Sequence, residues 1–457
     1  MSSQFAGSPD LAAPSPSRRY GGKWRLIHLI FPAFMIFVVV MIVRSVVFGG
    51  EESSGPKGEL LWWLDAKAAP LQPHEPTGWP VGDVFAVAAG REVTGYGIAD
   101  GKKRWAVPIP GDICAASTRM SGSRIAVLHG GGGDKCDRVQ VVDVQRGKAV
   151  WQRPLPRWDS SGTKDTQVVI ADGTVAVQRQ DEGVNAFRLR DGEPLWRRIG
   201  LFDGCLYSAV GGGEALVAEQ TCGGGTSGAV QLLGAADGRP RWTRPLGEDI
   251  GVTGIFSTNP VVVGTGETFD GDTTQVLMLD QAGAPAGRVR LDKYSGLESI
   301  RCAGDEVTRC DGVVLDGTTM YVRAKTDDFG PQKIAAYDLT SGRDLWTSKV
   351  TGQAAELVPV GLHAGRLIAA HPPVPARKRG YSGDPSGVLA LDPRTGKSTE
   401  LMTISKSMTG IGEMIKREAR LYWVDGRFIL LRYGPRPGEG PVLAAFGPPA
   451  KKPAGKQ

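Results

Sequence analysis

The sequence predicts an all-β chain built as an eight-bladed β-propeller, with seven blades as the alternative. Each blade is a four-stranded antiparallel sheet, and one transmembrane helix precedes the ring. Three observations carry this reading. A hairpin pattern recurs along the chain, its two missing halves lie at opposite ends, and an apolar run of membrane-spanning length stands before the first copy.

The hairpin is clearest at Ile334 to Trp346, IAAYDLTSGRDLW. Two apolar-alternating arms flank a turn with Gly342 where positive φ is required. Earlier copies end at Trp105, Trp151, Trp196 and Trp242, with turn glycines Gly101, Gly147, Gly192 and Gly238. These tryptophans are 46, 45 and 46 residues apart, the period of a four-stranded propeller blade. A copy from Val276 is worn, with Arg288 in the Trp position. Another from Val388 keeps the turn at Gly396 but has Glu400 in place of Trp. Periodic aromatics of this kind are core residues, so the expected role of the Trp is to wedge between neighbouring blades.

The chain ends complete the count. Gly58 to Trp62 (GELLW) matches a second arm with no first. Val442 to Phe446 (VLAAF) matches a first arm with no second. Together they make one split blade that closes the ring and removes two open sheet edges. Eight further apolar runs lie between the hairpins, beginning at Val84, Arg124, Thr174, Ala215, Pro260, Met320, Arg366 and Arg427, and these are the expected second strands.

The 457 residues contain 64 Gly and 31 Pro, which suits many turns. Residues 1–23 are a disordered cytoplasmic tail by composition. Residues 24–48 form the expected anchor helix, with the run LIHLIFPAFMIFVVVMIV at its centre. Arg18, Arg19, Lys23 and Arg25 precede it, whereas Glu51 and Glu52 follow. The positive-inside rule then puts the N-terminus in the cytoplasm and the propeller outside, as a single-pass protein of the cell membrane. A cleaved signal peptide fits less well, because the run is long and lacks a small-residue cleavage site. Residues 49–57 read as a linker, 58–447 as the propeller and 448–457 as a disordered tail.

Six cysteines lie outside the anchor, in a compartment that permits disulfides. Cys114 and Cys205 each lie nine residues after a repeat Trp. The repeat register pairs Cys114 with Cys136 and Cys205 with Cys222, each joining a first strand to the next hairpin. Cys302 and Cys310 remain as the third pair. There is no C-x-x-C, so a metal site is not expected. The long connection after Ala370 carries Arg377, Lys378, Arg379 and Tyr381 as a candidate partner contact, against the plainer reading of a solvated loop. The Gly130 to Gly133 loop lacks the Lys and helix of a phosphate cradle. Asp270 and Asp272 lack the ligand spacing of a calcium loop. A net charge of +6 without basic–aromatic interleaving gives no reason to expect nucleic acid.

The turns at Ala336, Asp338, Gly342 and Trp346, and at Ala390, Asp392, Thr395, Gly396 and Lys397, resemble the repeat of the PQQ-like β-propeller family. The resemblance runs over about residues 58–447 and is nearest to the propeller lipoproteins of outer-membrane protein assembly, with a transmembrane helix in place of a lipid. It implies either a quinoprotein dehydrogenase or a binding scaffold. The dehydrogenases hold pyrroloquinoline quinone against a disulfide between adjacent Cys residues, beside Ca²⁺. This chain has no Cys-Cys pair, so no cofactor, metal or catalytic residue is expected, and Asp338 and Asp392 are read as turn formers. The expected function is therefore a non-catalytic scaffold for a protein or envelope ligand, with a sensor domain as the further alternative.

Overall fold

The computed structural model describes residues 56–65, 75–130, 136–156, 166–179, 183–199, 204–223, 227–267, 273–291, 300–303, 306–325, 332–348, 356–373, 385–404, 410–434 and 441–448. The expected anchor and both tails lie outside these residues, and so do Arg377, Lys378, Arg379, Tyr381, Asp270 and Asp272. Among the described residues no helix is long and apolar enough to cross a membrane.

The described chain from residue 56 onward is almost wholly antiparallel β-sheet. Six separate four-stranded sheets follow one another, spanning 77–108, 112–154, 166–198, 205–248, 250–290 and 313–347. An eight-stranded sheet contains two more quartets. One runs from Val358 to Ile404. The other joins Ala419–Val424, Arg427–Arg432 and Pro441–Gly447 to the first strand of the chain, Lys57–Asp65. The two quartets touch through a two-residue parallel pairing, Lys57 to Thr403 and Gly58 to Ile404.

The split hairpin is therefore assembled from the chain ends, Glu59 opposite Gly447 and Asp65 opposite Pro441. The second strands fall on the expected apolar runs, for example Val84–Ala89, Thr174–Arg179 and Arg427–Arg432. A two-stranded hairpin, Arg301–Ala303 with Glu306–Asp311, is inserted between the fifth and sixth quartets.

The core lies between sheets. Each of eight apolar clusters joins two consecutive quartets. One packs Val139 and Val141 against Val168 and Val175, and another packs Trp62 and Ile429 of the last quartet against Phe85 and Ile98 of the first. Strands buried on both faces read as continuous apolar runs, which explains sequences such as VFAVAA.

The repeat hairpin explains its own conservation of shape within the chain. Seven of the eight outer strands carry a one-residue bulge just before the Trp position, as between Trp196 and Pro194 opposite Ala186 and Phe187, whereas in Ser398–Ile404 it falls on Leu401, just after Glu400. Each Trp then lies under the turn glycine of the next quartet. A Cβ added at Gly192, which has φ 75°, would sit 2.7 Å from the Trp151 ring. Trp62, Trp105, Trp196, Trp242 and Trp346 meet Gly101, Gly147, Gly238, Gly283 and Gly396 in the same way. The indole N–H of Trp151 donates to the Leu189 carbonyl at 2.8 Å. Trp62, Trp196 and Trp346 donate to Ile98, Ala235 and Pro393, each three residues before the turn glycine. The Trp105 and Trp242 indole nitrogens are buried without a hydrogen-bond partner. Gly342 differs, since it packs against the Arg288 backbone carbonyl.

The turn aspartates bond to local backbone. Asp338 accepts from Thr340 N at 2.9 Å, and Asp392 accepts from Arg394 N and Thr395 N at 2.9 and 3.0 Å. These bonds pull both carboxyls below the usual range; at Asp338 the Ser341 hydroxyl leads, and at Asp392 the Arg394 N–H does. Asp191 is held at about 2, chiefly by the Arg188 guanidinium at 2.8 Å.

Candidate functional site

Antiparallel order places all connections at two ends of the quartets. One end carries the short turns from first to second and from third to fourth strand, such as 172–173 and 425–426. The other carries the second-to-third and quartet-to-quartet connections, which vary from the single residue Asp249 and the two-residue turn 90–91 to the 14 residues between His371 and Ser386. Both chain termini of the sheet array lie at the short-turn end, because Glu59 pairs with Gly447.

All three disulfides lie at the long-connection end. Cys114 bonds to Cys136, Cys205 to Cys222 and Cys302 to Cys310. Cys136 stands just before the third strand of its quartet. Cys222 does not belong to the following hairpin, as the register argument expected. It ends the second strand and faces Cys205 directly across the sheet, because the second strand extends past its apolar run to residue 222.

A concavity of about 580 Å³ opens at this end, between the third and fourth quartets. Arg198 and Ile199 line one side, and Tyr207, Gln231, Thr243 and Glu248 line the other, next to Cys205 and Cys222. Its polar floor is fixed. Tyr207 Oη donates to Gln231 Oε1 at 3.0 Å, Gln231 Nε2 donates to Thr243 Oγ1 at 2.9 Å, and Arg198 Nε donates to the Gly238 carbonyl at 2.6 Å. Burial pushes the Tyr207 hydroxyl up, so it stays a neutral donor. Ile199 is 42% exposed at the rim. One exposed apolar side chain beside a fixed polar floor suits a side chain of another polypeptide.

Other side chains cross between distant quartets. Arg119 Nη2 reaches the Phe256 carbonyl at 3.4 Å. The sulfurs of Cys302 and Cys310 pack where Gly254 leaves room. Asp311 meets the Tyr433 hydroxyl and lies 3.8 Å from Arg420. These contacts do not fit the quinone site of a dehydrogenase. The bonded cysteines are 22, 17 and 8 residues apart, not adjacent. Among the described residues no three His, Cys, Asp or Glu converge to hold a metal.

Two buried titratable groups escaped the sequence reading. Glu219 accepts the Val252 N–H of the next quartet at 2.9 Å, and burial pushes its carboxyl up. His129 is fully buried with neither ring nitrogen partnered, and burial pulls its pKa down, with Arg138 adding to the effect. A polar residue ending an apolar run, as in ALVAE and RIAVLH, was the available signal.

Sheets that pack face to face through Trp–Gly contacts, closed by pairing the chain ends, define a propeller of the PQQ-like class. A family model described as outer membrane protein assembly factor BamB, the PQQ_2 type, matches residues 53–201 and 226–410, and the chain belongs to that family. An outer membrane protein assembly factor BamB from Yersinia pestis is 23% identical over 309 residues, covering 65% of this chain and 72% of the relative. The crystal structure of BamB from Moraxella catarrhalis aligns with a TM-score of 0.47 at 13% identity, over 81% of this chain and 93% of that one.

Proposed function

We propose that this protein is a membrane-tethered, extracytoplasmic scaffold that binds a protein partner of the cell envelope and carries out no catalysis. In this reading the quartets are the eight blades of one closed ring, and residues 24–48 are its single-pass anchor. One observation carries the proposal: the longest connections, the three disulfides and the concavity share one end of the quartets. A stapled end with variable loops is how a rigid scaffold presents a binding surface. The assembly role printed for the Yersinia pestis relative supports a protein partner, and disulfides support an oxidising compartment.

The test is crosslinking of the full chain in intact membranes, followed by purification with its partner. Ile199→Glu puts a charge on the exposed rim and is expected to weaken capture of that partner about fivefold, the effect of a residue at the border of an interface. Dye-linked oxidation of an alcohol or sugar by the chain loaded with pyrroloquinoline quinone and Ca²⁺ would overturn the proposal. So would recovery of the full chain in the soluble fraction.

A further inference from the structure

The three disulfides differ in what surrounds them. Cys136 is buried, and Cys302 and Cys310 pack into the apolar cluster between the fifth and sixth quartets. Cys205 and Cys222 instead line the open concavity between the third and fourth quartets, and both are partly exposed. A small thiol entering the concavity meets this bond directly, whereas each of the other two has a sulfur against packed protein. Access of this kind decides which disulfides exchange.

The bond also closes the last rung of its sheet. Cys205 starts the first strand of the fourth quartet, Cys222 ends the second, and the two face each other in register. Only Leu206 with Thr221 and Tyr207 with Gln220 follow before the register shifts at Ser208. A short end beyond such a bulge frays unless it is tied. This end carries the floor of the concavity. The Tyr207 carbonyl accepts from Gln178 Nε2 of the third quartet at 3.0 Å, and its hydroxyl donates to Gln231 Oε1 at 3.0 Å.

We infer that Cys205–Cys222 is a thiol-exchange site whose substrate is a dithiol, and that its redox state sets the shape of the concavity. One thiolate of the dithiol attacks a sulfur of the bond. The S–S bond breaks, and the other cysteine leaves as a thiolate that takes a proton from water. The second thiol of the dithiol, deprotonated, attacks the mixed disulfide and releases the first cysteine. The chain is reduced to two thiols and the dithiol is oxidised to its own disulfide. With the bond open, residues 205–207 leave the rung, Tyr207 no longer reaches Gln231, and the concavity loses its floor. The inference rests on the concavity as the partner site and adds the condition under which that site binds.

The probe is dithiothreitol added to the folded full chain in detergent, with new thiols alkylated and located by peptide mass. Cys205 and Cys222 are expected to be alkylated at least about tenfold faster than the other four cysteines. On that reduction, hydrogen exchange at residues 205–207 is expected to rise at least about tenfold, with Val84–Ala89 of the first quartet unchanged. Cys205→Ser with Cys222→Ser is expected to reproduce the fast exchange and make it indifferent to dithiothreitol. Another pair reduced first would overturn the inference, as would exchange at 205–207 that ignores the opening of the bond. Both are read on the natural chain, so they decide the matter even where the double variant does not fold. Partner capture is expected to fall at least about fivefold on selective reduction. Capture that Ile199→Glu weakens but reduction leaves intact would overturn this inference alone. Capture that Ile199→Glu leaves intact would overturn the concavity as the partner site, with alkylation order and exchange still deciding the thiol chemistry.

Discussion

The junction between the second and third quartets and the junction between the fifth and sixth solve one problem in two ways. At the first, Trp151 lies under Gly192 and donates to Leu189 at 2.8 Å. Arg153 then clamps the same turn, donating to the Gly192 and Asp191 carbonyls at 3.0 and 3.1 Å. At the second, the register places Gly287, not Arg288 as the sequence pattern suggested, in the Trp position against the Leu339 carbonyl, and Arg288 meets Gly342 through its backbone carbonyl. The inserted hairpin packs Cys302 and Cys310 into that junction's apolar cluster, beside Phe256 and Met320. A missing local wedge is replaced by a covalently pinned insertion, so the ring needs a filled junction more than it needs the repeat.

The comparison breaks most directly at Trp151. Trp151→Ala empties a buried site and leaves the Leu189 carbonyl unpaired. A loss of about 3–5 kcal/mol is expected, read as a lower denaturation midpoint with exchange rising first in residues 148–198. The same change at Arg288 is expected to cost far less, because an exposed side chain is removed. Equal effects at the two junctions would refute the contrast.

The second junction is tested by removing its staple. Replacing both Cys302 and Cys310 by Ser frees an eight-residue closure, worth roughly 2.5 kcal/mol by chain entropy. The expected readout is faster proteolysis within 301–311 and exposure of Phe256, with the second and third quartets unchanged. Loss confined to the hairpin, with the fifth–sixth junction intact, would show that the insertion is decoration.

The smallest effect concerns pH. His129 lies fully buried in the second quartet, with its pKa lowered by burial and by Arg138. Below the unfolded value of about 6.5 the unfolded chain takes up a proton that the folded chain resists. Stability present above that value is therefore lost as pH falls toward the folded pKa. His129→Phe is expected to reduce the drop in unfolding midpoint between about pH 7.5 and about pH 5. An unchanged drop would show that His129 is protonated without cost.

Much of this architecture was legible in the sequence because its signals are local. Positive φ at Gly192 and Gly396, the turn aspartates and the two-residue alternation each involve neighbours within a dozen residues. Repetition then turned weak local signals into a strong one, and even the split hairpin could be read, since each half kept its own pattern. The Cys205–Cys222 pairing was readable from spacing, but its place within one sheet was not, because nothing local marks where the second strand ends.

The sequence by itself determined the all-β repeat, the Trp and Gly positions that set its register, and an apolar run of spanning length outside the described residues. Only the tertiary structure decided which indoles meet a carbonyl across a junction and which quartets form the concavity. Those features depend on residues brought together from far along the chain, Arg119 with Phe256 and Glu219 with Val252. The energy of a buried N–H or carboxylate depends on partners across a junction, and no short window of sequence contains both sides of a junction.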